Sequence, residues 1–307
     1  MIELAASLIR VLQTGALYAL MATGLTLTLS ILRIPNVAHA EYVTIGAYVS
    51  FVLINFAGLA LWQAIPPSFL LGALAAILSY VLVFKPLRKR GVSMFILMVA
   101  SFAVSLIIRY MIYAVVAAGN WGLGVKPKVV VNVAYRVAGI TITDLFLLVL
   151  PLSIALTSFL HLFMTRTRTG KQMRAVSDDP DLAVVSGVNV EKVALITFLI
   201  SGGLAGLAGS LWVVFTHAHP DLGLEALLRM IAASALGGFV SYPGTLAGAF
   251  IVTFAENTVM DFLNRTFGIS LAFKPLMPMI ITIIVLVSRP SGLTGLLSSR
   301  AQTAVKK

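Results

Sequence analysis

The sequence contains no cysteine, so disulfides, thiolate nucleophiles and cysteine-liganded metal centres are excluded. Charge is scarce as well. Only 11% of its 307 residues are Asp, Glu, Lys or Arg, against about a quarter in a soluble domain. So little charge cannot cover a soluble surface, which argues against a cytosolic enzyme, a disordered chain and a nucleic-acid binder. Acidic residues are the scarcer sign, 11 against 22 basic, for a formal charge of +11. What fills the chain is apolar: 59% of residues are hydrophobic and the mean hydropathy is +1.01. Long uncharged runs are what lipid demands, because a charge at the bilayer centre costs about 2.5–3.5 kcal/mol on the insertion scale. The first run opens within a few residues and outlasts a signal-peptide core, so no cleaved leader is expected. The composition is that of a polytopic membrane protein.

A crossing helix needs about 20 apolar residues. Runs of that order occupy residues 11–32, 42–61, 65–84, 93–118, 145–164 and 193–216, with a turn expected at Pro66 and Pro67. The stretch 230–255 is cut by Gly237-Gly238 and by Ser241-Tyr242-Pro243-Gly244, and makes either one span or two short passes. A last run, 267–288, contains Lys274, Pro275 and Pro278. Basic residues orient the whole. Two short passes put 14 of them on one side: Arg33, the 85–90 and 166–192 clusters, and the tail residues Arg289, Arg300, Lys306 and Lys307. Seven lie opposite; a single span gives 12 against nine. The first arrangement follows the positive-inside bias better. It predicts an all-α transmembrane bundle of roughly eight to nine membrane segments, some broken or short, in a plasma or inner membrane. The N-terminus is then outside and the C-terminus cytoplasmic. Residues 1–307 read as one transmembrane domain, with an external loop at 119–143 and an internal loop at 165–192. Neither loop is large enough for a domain, so any soluble machinery belongs to other chains. Nor is there a Gly-x-x-x-x-Gly-Lys-(Ser/Thr), so nucleotide hydrolysis does too.

The internal loop predicts a capped helix over 178–188. Ser177 or Asp178 suits the N-cap, Pro180 the first turn, and Asp181 the positive end of the dipole. Gly187 and Asn189 suit its end, and Leu182, Val185 and Val188 recur at helical spacing. Such a helix either docks a partner or lies on the membrane. A second polar break runs from Pro35 to Glu41. Pro35 ends the preceding helix, Glu41 can charge the start of the next, and Asn36, His39 and Glu41 form a polar cluster able to shape a gate. The glycines of 237–244 allow a tight polar turn, whereas Gly202, Gly203, Gly206 and Gly209 read as helix packing. Arg109, about 25 Å along its run, is expected to snorkel at the outer interface, and Glu256 is expected at the outer end of its pass. His217 and His219 lack partners enough for a metal site beyond Asp221, so none is expected. Residues 45–51 and 247–254 echo each other weakly after Pro-containing breaks, a pointer to transport sites. Carboxylates paired for catalysis are absent at membrane depth, since Asp178, Asp179 and Asp181 lie in the loop; no enzymatic activity and no cofactor are expected.

Four stretches together resemble one family, the branched-chain amino acid permeases of ABC importers, and specifically its shorter subunit. They are Arg174-Ala175 with Asp178, Asp179, Ala183 and Gly187-Val188-Asn189; the run from Thr14 through Ile34-Pro35-Asn36-Val37-Ala38-His39-Ala40-Glu41; Leu236-Gly237-Gly238-Phe239-Val240-Ser241-Tyr242-Pro243-Gly244; and Arg289-Pro290-Ser291-Gly292-Leu293. Val37, Ala40 and Val240 depart from the family's Phe, Gly and Gly. The resemblance implies one of two membrane subunits, working with two cytoplasmic ATPases and an external solute-binding protein, and carrying leucine, isoleucine, valine or a similar small solute. It implies ATPase coupling through Arg174, Asp178, Asp179, Leu182, Ala183, Val185 and Gly187. It also implies a pathway or gate at Asn36, His39, Glu41, Gly237, Gly238, Ser241, Pro243 and Gly244. The alternative is a stand-alone ion- or proton-coupled carrier using Glu41, His39, Glu256 and Arg109 as a charge relay.

Overall fold

The computed structural model describes residues 2–129, 133–137, 140–288 and 292. Helix α1 (Ile2–Leu32) is apolar almost throughout and ends with Arg33 at φ +54°. There the N–H groups of Arg33 and Ile34 turn back to the carbonyls of Leu29 and Thr28, which satisfies the last turn. Pro35 then blocks continuation, and α2 (His39–Asn55) begins after the break. Helix α3 (Leu61–Ser79) runs through a π-helical turn, Tyr80–Phe84, into α4 (Lys85–Lys89). The turn expected at Pro66 and Pro67 does not form; both lie inside α3. The Ser68 hydroxyl that follows them directs its one proton at the carbonyls of Ala64 (2.8 Å) and Gly46 (3.2 Å), which ties α3 to α2.

Ser93 caps α5 (Met94–Ala118). The 119–143 loop holds the one departure from an all-helical chain among the described residues. It contains an antiparallel hairpin of β1 (Val133–Val137) and β2 (Ile140–Thr143), and a bridge from Val125 to Ala218. Next come α6 (Asp144–Arg166), α7 (Arg168–Asp178), α8 (Pro180–Val185), α9 (Val190–Phe215) and α10 (Leu222–Leu236). Helix α11 (Tyr242–Phe254) continues through a π turn, Ala255–Val259, into α12 (Met260–Phe267), and α13 (Leu276–Ser288) follows.

Six stretches are long and apolar enough to cross a membrane: Ser7–Leu32, Leu61–Lys89, Met94–Ala118, Asp144–Arg166, Val190–Phe215 and Tyr242–Phe267. The protein is therefore a multi-pass helical membrane protein. Three runs differ from expectation. Residues 42–61 contribute only the 17-residue α2. The 230–255 stretch is interrupted, but its second half is no short pass, because α11 and α12 form one helical path of 26 residues. Residues 267–288 yield only the 13-residue α13.

Two compact units divide the chain. One comprises Met1–Thr26, Val131–Phe159 and Leu228–Lys307; the other comprises Leu27–Val130 and Leu160–Leu227. In the second unit α2, α3 and α9 meet backbone to backbone. A Cβ on Gly46 would stand 1.9 Å from the Gly206 carbonyl oxygen, one on Gly209 1.9 Å from that of Val43, and one on Gly72 2.4 Å from that of Gly202. Lipid offers helices no hydrophobic drive to associate, so close van der Waals approach through small residues does the work. The outward flank of α3 and the π-helical turn after it shows Leu70, Leu74, Leu78 and Leu82, as a lipid-facing stripe would. In the first unit the same device sets α10 against α11, since a Cβ on Gly248 would fall 2.4 Å from the Ala233 carbonyl.

Replacing Gly46 by alanine must push a pair of helix backbones apart, a strain of about 1–3 kcal/mol or more. Gly46→Ala is expected to lower both membrane abundance and the thermal unfolding midpoint in detergent. Gly122→Ala, with nothing within 4 Å of the new methyl, is expected to change neither.

Candidate functional site

The break between α1 and α2 is built against the middle of α5. Ser101 hydroxyl donates to the Pro35 carbonyl and accepts from the Val37 N–H, both at 3.0 Å. One turn on, Ser105 donates to Glu41 Oε1 at 2.8 Å; one further turn on, Arg109 reaches the same oxygen through Nε (3.1 Å) and Nη2 (2.5 Å). Spacing of four residues puts Ser101, Ser105 and Arg109 on one face of α5. Ser101 and Arg109 lie about 10 and 22 Å along that helix, so the start of α2 sits beside its central turns.

This overturns two expectations. Arg109 does not snorkel: its residue is 7% exposed and its charge is met by Glu41, which is wholly buried. Glu41 does lie in the first turn of α2, where the helix dipole favours a carboxylate. Its partners, however, are side chains of α5 rather than the N–H groups at its own helix start. On the other side of the break, His39 Nδ1 pairs with the Ser201 hydroxyl of α9 at 3.1 Å and its ring meets Tyr42 edge-on. Asn36 is buried beside Tyr42, and its amide atoms make no close hydrogen bond. Asp221, ahead of α10, accepts from the Tyr113 hydroxyl at 2.5 Å and lies 3.8 Å from Arg109 Nε. The two serines and Tyr113 do not stand out in the sequence, where Arg109 enters only as an interfacial or relay charge and Asp221 only as a poor metal partner; a polar residue every fourth position in an apolar run is the legible signal.

In the first unit, α10 ends at a turn with Gly238 at φ +72° and Phe239 at φ +61°. Gly237 and Gly244 touch, with the Cβ position of Gly244 only 3.0 Å from Gly237 Cα. Ser241 caps α11 by accepting from the Gly244 N–H at 3.1 Å, and Pro243 occupies the first turn. Val240 has no positive φ, so the glycine it replaces in the family pattern is not required there. Gly292 packs into this turn, its Cβ position 2.4 Å from the Gly238 nitrogen; Arg289, Pro290, Ser291, Leu293 and the tail lysines lie outside the described residues, as do Val130 and Val131. Behind the turn, Thr26 bonds both Ser234 and Thr245 at 3.0 Å. Glu256, expected at an interface, is instead buried in the π turn between Arg229 (2.9 Å) and the Tyr18 hydroxyl (3.0 Å).

The 165–192 loop forms two helices rather than one. Asp179, not Ser177 or Asp178, is the cap: its carboxylate accepts from the N–H groups of Asp181 and Leu182, both at 2.9 Å. Gly187 at φ +80° ends α8, whereas Asn189 caps α9 through the Lys192 N–H. Ala183 points inward and is buried, leaving Leu182 at 64% and Val185 at 85% exposed, with Val184 beside them; Arg174 and Asp178 are exposed on α7. Ser177, freed from capping, donates to the Ser30 carbonyl at 2.6 Å, and Arg33 reaches the Ser177 carbonyl at 3.4 Å. Lys85 and Glu191 pair directly, which joins the two basic clusters at one end of this unit.

Long apolar helices interrupted by buried polar breaks, with an exposed apolar helix on a basic loop, define a polytopic membrane permease. The family profile described as "Branched-chain amino acid transport system / permease component" matches residues 7–287, and the chain belongs to that family. It is 32% identical over 285 residues to a probable branched-chain amino acid transport permease protein LivH of Methanocaldococcus jannaschii, covering 91% of this chain and 89% of that one. The Escherichia coli K12 high-affinity branched-chain amino acid transport system permease protein LivH is 27% identical over 92% of each chain. These relatives are transport permeases, not enzymes. Among solved structures, "PsaBC from Streptococcus pneumoniae in complex with Fab" shares the fold, with a TM-score of 0.51 at 15% identity over 93% of this chain and 92% of that one.

Removing one member of a buried ion pair strands the other, at a cost of about 3–5 kcal/mol. Arg109→Leu alone is expected to lose most folded protein in a detergent melting assay. The double change Glu41→Leu with Arg109→Leu is expected to recover much of that loss, because neither charge is then left unpaired.

Proposed function

We propose that the chain is a permease subunit of an ATP-driven importer for branched-chain or other small hydrophobic amino acids. It works beside a second permease subunit, two cytoplasmic ATPases and an external solute-binding protein. The observation that carries this reading is α8. Six residues long and capped at both ends, it turns Leu182, Val184 and Val185 outward from a loop rich in Arg and Lys. Apolar side chains so exposed on a short, rigid element suit a groove on a partner. Sharing an end with two basic clusters favours a cytoplasmic position for it, which leaves the N-terminus outside and the C-terminus inside.

Ser177 and Arg33 suggest how a push on α8 travels. Helix α7 ends against the last turn of α1, immediately before the polar break at 35–41. A displacement of the docked helix thus acts on the segment carrying Asn36, His39 and Glu41, a two-state element that a partner's nucleotide state can bias. In the first unit the Gly237–Gly244 turn, with Ser241 and Pro243, is the second candidate wall of the pathway. The family relationship of the relatives, all transport permeases by name, supports the substrate class.

Leu182→Asp with Val185→Asp places charges on an already exposed face, so abundance is expected to hold while co-purification of the ATPases and ATP-driven leucine uptake are lost. Retained ATPase binding and uptake would overturn the coupling role. Leucine uptake into liposomes by this chain alone, driven by an ion gradient, would overturn the importer reading.

A further inference from the structure

Around the outer half of α5 in the second unit, two carboxylates share one guanidinium. Glu41 takes the Arg109 charge directly, and Asp221 stands 3.8 Å from the same side chain, so the three together carry one net negative charge. The next ionisable groups along the chain, His219 and Glu225, face each other at 3.7 Å. Lys126 and Lys128 belong to the loop whose backbone is tied to Asn55. Asp221 is the accessible member, its side chain 42% exposed.

Two buried groups beside this cluster have no partner. Glu41 Oε2 makes no hydrogen bond, and neither does the Tyr48 hydroxyl, whose residue is 7% exposed. Tyr48 lies two turns beyond Glu41 on α2, within electrostatic range of Tyr113 and Asp221. Buried polar atoms left unsatisfied call for an explanation, and an absent ligand is one. The placement is also enforced. Thr44 accepts the Gly223 N–H at 3.0 Å, and a Cβ on Gly223 would stand 1.9 Å from the Ala40 carbonyl. Only glycine lets the 221–223 segment close on this face of α2.

An ammonium is the ligand that fits such a set. It brings one positive charge and three donors, to be met by acceptors only; Asp221 and the oxygens of Tyr113 and Tyr48 are acceptors, and Tyr110 and Tyr113 lie side by side with faces a cation favours. We propose that Asp221, with Tyr113 and Tyr48 and held by the Arg109–Glu41 pair, receives the α-ammonium of the amino acid in transit. This rests on the import reading above and adds to it a contact for one end of the solute.

The chain's lack of cysteine makes the test direct. Tyr48→Cys introduces a sole thiol while leaving every charge in place. In membrane vesicles carrying the full chain with its partner subunits, this thiol is reacted with ethylammonium and ethylsulfonate methanethiosulfonates, each rate corrected for reaction with a free thiol. The cationic reagent is expected to react at least about tenfold faster, with the preference lost in Asp221→Asn. L-leucine is expected to slow labelling and the α-hydroxy acid analogue, which lacks the ammonium, to have no effect. Equal corrected rates, or equal protection by both compounds, would overturn the site. Should Tyr48→Cys fail to accumulate, Asp221→Asn alone is expected to cut uptake from a fixed supply of leucine-loaded binding protein about tenfold, with Asp221→Glu restoring it; unchanged uptake overturns the site. ATP-driven leucine uptake by the unmodified chain is measured alongside. Its absence counts against the importer reading, whereas its presence without any cation preference counts against the ammonium site alone.

Discussion

A carboxylate can sit uncovered by water at the start of α2 only because Arg109 arrives from α5 to neutralise it. Nearly everything about the second unit follows from that pairing. For Glu41 to meet Arg109, the chain leaving α1 must turn back along α5, so the backbone of residues 34–38 is packed against that helix and needs partners there. Ser101 then becomes necessary, since its hydroxyl serves both the Pro35 carbonyl and the Val37 N–H. A helix that starts so deep leaves little room for side chains between itself and its neighbours. Gly46, Gly72, Gly206 and Gly209 supply the space by bringing α2, α3 and α9 together at their backbones.

The same economy of polar groups governs the first unit. There Glu256 is held by Arg229 and Tyr18, and the Thr26 hydroxyl bonds those of Ser234 and Thr245. In a chain with so few charges, each of these buried ones is matched side chain to side chain. The exceptions among the described residues are Asn36, the second oxygen of Glu41 and the hydroxyls of Tyr42, Tyr48, Thr157 and Ser210; four of these six residues are on or just before α2. In the second unit most of this unmatched polar capacity gathers at α2, which is where the solute contact is proposed.

Much of the site is visible in the letters. Pro35 with Asn36, His39 and Glu41 marks a break because proline cannot continue a helix and polar residues cannot rest in lipid. Asp179, Pro180 and Gly187 mark a short helix for equally local reasons, although the cap falls one or two residues later than expected. What misleads is depth. Arg109 and Glu256 each look like interfacial charges when their distance along a run is counted, because a count along one helix says nothing of a counter-ion on another. Pro66 and Pro67 look like a turn, yet α3 runs through both.

The sequence by itself determined the class of molecule: too little charge for a soluble surface, apolar runs of spanning length, basic clusters in loops, and breaks at proline and glycine are all properties of local composition and spacing. Only the tertiary structure decided which charges are buried and with whom, that the second half of the 230–255 stretch is a full-length helix, and which face of α8 is turned outward. These depend on contacts between residues tens to hundreds of positions apart, such as Glu41 with Arg109 and Ser30 with Ser177. No local pattern encodes such contacts, because they exist only once the helices have packed.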